Sequence, residues 1–128
     1  MSAAATDWNH LPPPTEREDL GFEAVFTEAE TDQLIDGVVP IAMEDKWFIY
    51  FDEGWLRFHR SWTGAFIYGL RLERLSNGYR VQESWVSRDP EQYGCRDTKY
   101  DRQLVRFLID ALLLHRSATF PIPADVPR

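Results

Sequence analysis

A segment of seven residues, 58–64, holds the densest group of chemically active side chains in this sequence. It places an imidazole, a guanidinium and an indole within four positions, at His59, Arg60 and Trp62. A guanidinium can bind a carboxylate or phosphate through two hydrogen bonds, an indole can stack on a flat ring, and an imidazole can move protons near neutral pH. Polar groups beside aromatic surface are typical of small-ligand sites and of protein-binding hot spots. The segment matches no catalytic motif.

The predicted binding residues extend from this segment onto neighbouring strands. They are Tyr50, Arg57, His59, Arg60, Ser61, Trp62, Thr63 and Arg71. Adjacent residues of a strand point to opposite faces, so His59 and Arg60 are not expected to enter one pocket directly. The turn after Arg60 can direct the residues that follow it toward either side of the sheet.

These residues also have a purely structural interpretation. In it, Arg60 pairs with an acid such as Glu83 at the edge of the sheet, and Trp62 lies in the core. The hydroxyls of Ser61 and Thr63 then shape the turn, which is a common use of such residues. The sequence leaves both interpretations open.

Glu83 is a second candidate for chemistry, because the strand register derived below places it on an apolar face. A buried carboxylate needs a partner or takes a raised pKa. Pairing with Arg60, Arg74 or Tyr68 makes Glu83 structural. If it lines a cavity unpaired, it is a general-base candidate beside His59.

Cys95 is the single cysteine, which excludes an internal disulfide and fits a reducing compartment. The neighbouring Arg96 can lower its pKa, and a pair with His59 or His115 would make it a nucleophile. No signature of a cysteine enzyme surrounds it. The histidines and the cysteine show no metal-ligand spacing, and no glycine-rich phosphate loop is present. The sequence therefore predicts neither a metal nor a cofactor.

Two helices are predicted on either side of the central residues. Thr27-Glu28-Ala29-Glu30 has the pattern of a capping box, and apolar residues follow until Gly37 and Pro40. This pattern predicts a helix over residues 27–37. Residues 100–115 repeat apolar side chains at helical spacing, so they predict an amphipathic helix that packs on one face of a sheet.

Four runs of aromatic and β-branched residues lie between these helices, at 47–52, 55–60, 65–74 and 79–87. Glu53-Gly54 and Asn77-Gly78 are both typical two-residue hairpin loops. Strands that are joined by short loops pair antiparallel. The sequence therefore predicts a four-stranded antiparallel meander in an α+β fold, with an N-terminal helix and a C-terminal helix on one face.

The two turns also predict which residues face each other. The predicted pairs are Phe48 with His59, Tyr50 with Arg57, Asp52 with Trp55, Leu70 with Trp85, Arg71 with Ser84, Leu72 with Glu83 and Glu73 with Gln82. One face is then apolar, with Ile49, Phe51, Leu56, Phe58, Phe66, Tyr68, Leu70, Leu72, Val81 and Trp85. The opposite face collects Tyr50, Arg57, His59, Arg71, Glu73 and Gln82.

The connection between the two hairpins constrains this arrangement. If 61–64 is a simple four-residue loop, Arg60 pairs with Ala65, and Arg71 then lies on the apolar face, where a charge is costly. A β-bulge or a loop of odd length near Thr63-Gly64 avoids that cost and is expected.

The ends of the chain differ in composition from its middle. Pro12-Pro13-Pro14 removes three backbone donors, so residues 1–20 are predicted to form a flexible arm, with Trp8 and Leu11 as the side chains that can anchor it. Residues 21–116 are predicted to form one domain, and 117–128 an extended tail. Residues 88–99 form a long polar loop of a kind that is usually functional or disordered.

Composition narrows the class of protein. The chain of 128 residues carries a net charge of −7, and residues 1–46 hold eleven acids and two bases. An acidic balance argues against general nucleic-acid binding, and suits a basic partner or a front segment that shields the chain's own basic face. Apolar runs of about five residues are far shorter than the ~20 a membrane helix needs, and the N-terminus lacks the features of a signal peptide. We expect a soluble, cytoplasmic protein.

Residues 46–50 and 55–64 resemble a small bacterial family with no established activity. The resemblance covers residues 43–73, and Phe-His-Arg-Ser-Trp-Thr-Gly at 58–64 is its most specific part. It implies relatives but brings no substrate, cofactor or catalytic residue with it.

Two functions are expected from these observations. The first is a binding module, of the immunity or antitoxin kind, that contacts a protein through the Tyr50/Arg57/His59/Arg71 face or the acidic front segment. The second is a small enzyme or ligand-binding domain for an anionic, nucleotide-like compound. In that case Arg60 binds the anion, Trp62 stacks on the ring and His59 or Glu83 moves protons. The chain is expected to be a monomer or a homodimer.

Overall fold

Antiparallel strands and two helices form the part of the chain that the computed structural model describes, which is residues 3–8, 10–41, 45–118 and 121. The strands are β1 (Arg17–Asp19), β2 (Val25–Thr27), β3 (Trp47–Asp52), β4 (Trp55–Arg60), β5 (Phe66–Leu75) and β6 (Gly78–Ser87). The helices are α1 (Glu28–Asp36) and α2 (Thr98–Leu108). A 3-10 turn spans Ala5–Asp7, and α2 continues as a π-helical segment, Ile109–Leu113. The α+β class is confirmed.

The sheet has six strands in the described residues, so the prediction of four is wrong in number. The predicted meander is present as β3, β4, β5 and β6, which are neighbours in the order β6-β5-β4-β3. Strands β1 and β2 both pair with the outer edge of β6. Each is only three residues long and largely exposed, so neither shows a strand pattern in the sequence. They are strands because the free backbone groups of β6 offer hydrogen-bond partners.

The first hairpin has the predicted register. Tyr50 lies opposite Arg57, Phe48 opposite His59, and Asp52 opposite Trp55. Glu53 and Gly54 both have positive φ, at 53° and 85°, as a type I′ turn requires. Here the local turn chemistry alone is enough to determine the pairing.

The predicted register of the second hairpin is wrong. Leu75 pairs with Gly78, so the loop is Ser76-Asn77 and not Asn77-Gly78. Gly78 is needed for close packing and not for the turn, because a Cβ at this position would lie 2.0 Å from the carbonyl oxygen of Phe26. Glycine is required there because β2 passes directly against it.

Two β-bulges decide which residues share a face. In β5, Phe58 pairs with Tyr68 but His59 pairs with Phe66, which leaves an extra residue at 67. In β6, Glu83 pairs with Arg71 of β5 but Val81 pairs with the next residue, Leu72, which leaves an extra residue at 82. The expected bulge therefore exists, but it lies in β5 rather than at Thr63-Gly64. The loop 61–64 is the simple four-residue loop, with the Arg60 amide donating to the Ala65 carbonyl at 2.9 Å.

The main core lies between the sheet and the helices. Its sheet side includes Ile49, Leu56, Phe58, Tyr68, Leu70 and Leu72, and its helical side includes Leu34, Leu104, Val105, Leu108 and Ile109. Phe66 and Trp85 are not part of it, contrary to the prediction, because the bulges turn them to the opposite face. There they stack at 4.7 Å between ring centroids. Gly69 makes room for this ring, since a Cβ would lie 2.6 Å from the Trp85 indole.

The N-terminal segment lies on that opposite face. Ala3 packs with Phe48 and Tyr50, and the ring of His10 lies 5.9 Å from that of His59. Two hydrogen bonds tie this segment to the loop 61–64, from the Trp8 indole to the Ser61 carbonyl and from the Leu11 amide to the Gly64 carbonyl, each at 2.8 Å. The division into arm, domain and tail stays a prediction, and most of the tail lies outside the described residues.

The predicted capping box of α1 is confirmed. The Thr27 hydroxyl accepts from the Glu30 amide at 3.1 Å, and the Glu30 carboxylate accepts from the Thr27 amide at 2.9 Å. The helix ends at Gly37, whose φ is 67°.

Gly78→Ala tests whether β2 requires a glycine at this position of β6. The methyl group would collide with the Phe26 backbone, so we expect a loss of about 1–3 kcal/mol in the free energy of unfolding, measured with urea. Gly94→Ala is the matched control because a Cβ at Gly94 meets no atom within 4 Å and its φ is not positive. Equal stability of the two variants would contradict the proposed reason for Gly78.

Candidate functional site

A cleft of about 390 Å³ opens where the β4–β5 loop meets the β6–α2 loop. It is lined by Lys46, Arg60, Trp62, Thr63, Gln92, Tyr93 and Gly94. Its size falls within the range of small-ligand pockets, roughly 300–1,000 Å³. The cleft unites part of the predicted segment 58–64 with part of the long loop 88–99. Lys46, just before β3, completes it.

Local hydrogen bonds of its backbone and hydroxyls hold the β4–β5 loop in its conformation. The Ser61 hydroxyl donates to the Asp45 carbonyl at 2.6 Å, and the Thr63 hydroxyl accepts from the Ala65 amide at 3.1 Å. Gly64 closes the turn with a φ of 76°. Ser61 and Thr63 therefore shape the turn, as the structural interpretation predicted. Trp62 is 70% exposed, so the structural interpretation is wrong in placing it in the core.

The cleft carries positive charge. Lys46 and Arg60 are its charged lining residues, and none of the described residues that line it is a carboxylate. The Arg60 guanidinium lies over the Trp47 ring at 5.2 Å, a cation–π contact that orients it. Within the described part of the chain, neither Lys46 nor Arg60 has a carboxylate within ion-pair distance of 4.0 Å. Two cations with no described carboxylate at ion-pair distance favour an anionic ligand.

Tyr93, on the opposite wall of the cleft, is bonded to groups inside the protein. The Tyr93 hydroxyl donates to Asp101 Oδ1 at 2.5 Å, and the Tyr68 hydroxyl lies 3.0 Å from the same oxygen. The Asp101 side chain is fully buried. Burial raises the pKa of Tyr68 and of Tyr93 far above the usual value of 10, so both hydroxyls keep their protons.

Arg88 supplies the charge that compensates Asp101. Its Nη2 lies 2.9 Å from Asp101 Oδ2, an ion pair outside hydrogen-bond geometry, and 3.0 Å from Glu18 Oε1. Its Nη1 donates to the Cys95 carbonyl at 3.1 Å. Burial acts to lower the pKa of Arg88, but the contacts with Asp101 and Glu18 outweigh it and raise that pKa. The network thus joins β1, β6, α2 and the loop between the last two.

His59 does not reach the cleft. It lies on the opposite face of the sheet from Arg60, is fully buried, and stacks on Phe66 at 4.4 Å. Its Nδ1 lies 2.8 Å from the Gly64 carbonyl, so this nitrogen carries the proton, while Nε2 has no hydrogen-bond partner among the described residues. Tyr50 is also buried and lies 5.6 Å from the His59 ring. These two residues cannot present an open contact face while the N-terminal segment covers them.

The other predicted residues lie away from the cleft. Arg57 is close to the Tyr50 ring, at 5.9 Å. Arg71 forms a surface ion pair with Glu83 at 3.9 Å. Glu83 is therefore an exposed residue, with 57% of its side chain accessible, and not a buried carboxylate. The predicted burial is wrong because the bulge in β6 turns Glu83 away from the core.

Neither Cys95 nor a cluster of metal-ligating side chains forms a further site in the described residues. The Cys95 thiol lies 3.9 Å from the Asp97 carbonyl, and no histidine is within hydrogen-bond reach of it. No group of three or more His, Cys, Asp or Glu residues is placed to hold a metal ion there. None of the helices in the described segments is long and apolar enough to cross a membrane.

The acidic front segment is partly used inside the molecule. Glu18 pairs with Arg88, Glu28 with Arg74 at 3.4 Å, and Glu30 with Arg116 at 2.6 Å. These three contacts agree with a segment that shields the chain's own arginines.

Sequence reasoning missed Lys46, Gln92, Tyr93, Arg88 and Asp101 as parts of this region. A signal for Asp101 was present, because it precedes Leu104, Val105 and Leu108 at helical spacing and so lies on the apolar stripe of α2. No comparable signal marks Lys46 or Gln92, which are ordinary polar residues of loops.

No protein-family model, curated protein or solved structure matches the chain. The resemblance of residues 43–73 to a bacterial family therefore stays a prediction.

The buried His59 predicts a loss of stability in acid. Burial lowers its pKa to about 4, from 6.5. Between those values the unfolded chain binds a proton that the folded protein excludes, so stability falls as the pH falls. By pH 4 this effect reaches about 3 kcal/mol.

His59→Phe should remove that part of the pH dependence, because a phenyl ring can stack in the same place and the Gly64 carbonyl keeps the Leu11 amide as a donor. Urea unfolding between pH 7 and 4 measures it. His115→Asn is the control, since His115 is exposed and Asn tolerates its positive φ of 55°. An unchanged pH profile in His59→Phe would show that His59 is not the responsible group.

Proposed function

We propose that this protein is a ligand-binding domain for a small anionic compound that carries a flat ring. The observation that supports this proposal best is the charge of the cleft. Lys46 and Arg60 line it, and no carboxylate is among its described lining residues, whereas the chain as a whole is acidic at −7. A phosphate or carboxylate of the ligand lies against Arg60 and Lys46. Its ring lies between the walls that carry Trp62 and Tyr93.

The side chains of the cleft support this division of roles. Arg60 can bind an oxyanion bidentately, and Lys46 adds a second positive charge. Trp62 and Tyr93 offer aromatic surface from two different loops, and Gln92 and Thr63 offer hydrogen bonds at the rim. A nucleotide-like compound has both the anion and the ring that this arrangement would recognise.

Binding is better supported than catalysis. The part of the cleft that the structure describes is lined by no histidine and no carboxylate, and the Tyr93 hydroxyl is directed to Asp101. His59 and Glu83, the two candidates for proton transfer, both lie elsewhere. The proposal is therefore for recognition of the ligand, with no reaction assigned to it.

A second candidate function is a protein-binding module of the immunity or antitoxin kind. One observation favours it: the Trp62 side chain is 70% exposed at the rim of a cationic cleft. Exposed tryptophan beside arginine is typical of hot spots in protein interfaces. An acidic segment of a partner protein would then occupy the same cleft.

Arg60→Ala tests the proposed ligand site. Phenyl phosphate, benzoate and nucleoside monophosphates serve as probes, with thermal shift and tryptophan fluorescence as readouts. We expect at least one ring-bearing anion to bind, and Arg60→Ala to weaken it by about 10-fold or more, because a charged hydrogen bond contributes roughly 1.5–3 kcal/mol.

Arg71→Ala is the matched control, since Arg71 is an exposed arginine outside the cleft. It should bind the probe as tightly as the unmodified protein. Equal affinity in Arg60→Ala would overturn the site. The second candidate is favoured by a different result: no probe binds, but a protein from the native host associates with the chain in a salt-dependent way. Trp62→Ala should then abolish that association.

A further inference from the structure

Tyr93 joins the cleft to the interior of the protein. Its ring lines the cleft, while its hydroxyl contacts Asp101 Oδ1 at 2.5 Å and the Tyr68 hydroxyl at 2.8 Å. The bond to Asp101 is short, as expected of a hydroxyl that donates to a carboxylate. A residue of an exposed loop is thus attached to a fully buried group.

The three oxygens of this cluster form a triangle with only two hydroxyl protons. Tyr68 and Tyr93 each contribute one proton, and Asp101 Oδ1 lies within hydrogen-bond distance of both hydroxyls. Removing either hydroxyl therefore leaves Asp101 with one tyrosine donor. Both tyrosines can donate to the carboxylate, Tyr93 at 2.5 Å and Tyr68 at 3.0 Å, and of the two it is Tyr93 that lines the cleft.

Asp101 is itself held in place on several sides. It belongs to the first turn of α2, and Arg88 lies 2.9 Å from its second oxygen. Arg88 also donates to the Cys95 carbonyl and to the Thr98 hydroxyl, at 3.1 and 3.0 Å. The loop between β6 and α2 is therefore bonded near both ends, and the contact of Tyr93 with Asp101 adds an attachment in the part that lines the cleft.

We infer that Asp101 is a positioning residue: through the Tyr93 hydroxyl it fixes the aromatic wall against which the ring of the ligand lies. This inference rests on the proposed function and adds to it that ring recognition depends on a buried carboxylate outside the cleft. The anion subsite at Lys46 and Arg60 belongs to other segments of the chain, so it does not depend on Asp101.

Tyr93→Phe and Tyr68→Phe form a matched pair for the test. Each removes one of the two hydroxyl donors to the same carboxylate, so both should lower the melting temperature. The probes are phenyl phosphate, which has a ring, and inorganic phosphate, which has none. Tyr93→Phe should weaken phenyl phosphate by roughly 5-fold, the effect of one lost hydrogen bond, and leave inorganic phosphate unchanged. Tyr68→Phe should bind both probes as the unmodified protein does.

Hydrogen exchange of the loop amides tests the same inference without a ligand. The amides of residues 91–96 should exchange faster in Tyr93→Phe than in Tyr68→Phe, because only the first variant loses the hydrogen bond between Tyr93 and Asp101. If the unmodified protein binds no probe, the proposed function fails, and exchange alone decides whether Asp101 positions the loop. If it binds phenyl phosphate and the two variants agree in affinity and exchange, the inference is overturned while the proposed function stands.

Discussion

The buried carboxylate of Asp101 is the constraint on which the arrangement around the cleft depends. A carboxylate without solvent costs several kcal/mol unless charges and hydrogen bonds compensate it. Here Arg88 supplies the charge, and Tyr68 and Tyr93 supply the donors. These partners come from the first residue after β6, from β5 and from the loop before α2. Satisfying one buried group therefore determines how a helix, a sheet and a functional loop are placed relative to each other.

The two β-bulges give the sheet two faces with different uses. Because of them, Tyr68 faces the helices while Phe66 and Trp85 face the N-terminal segment. The aromatic residues on that second face are packed against one another and against His59. An imidazole held there without a partner for Nε2 is kept neutral by its burial. The charged cleft lies on the other side of the sheet, where the helices pack.

Only the folded state shows which of the charged side chains are paired. Glu18, Glu28 and Glu30 belong to the strongly acidic first third of the chain, yet each pairs with an arginine from residues 74–116. Arg60 stacks instead on Trp47, and no described carboxylate lies within ion-pair distance of it. Net charge predicts which large classes of partner are unfavourable, whereas the pairing of individual side chains decides where an anion can bind.

Features that depend on neighbours along the chain were readable from the sequence by itself. The capping box at Thr27 and the register around Glu53-Gly54 are of this kind, because each is determined within a few residues. Only the tertiary structure decided the register of the second hairpin. Gly78 is required by its close contact with the backbone of β2, about fifty residues earlier in the chain. It also brought Tyr93 to the cleft and buried Asp101. Contacts between distant segments place these residues, and no local pattern encodes which segments will meet.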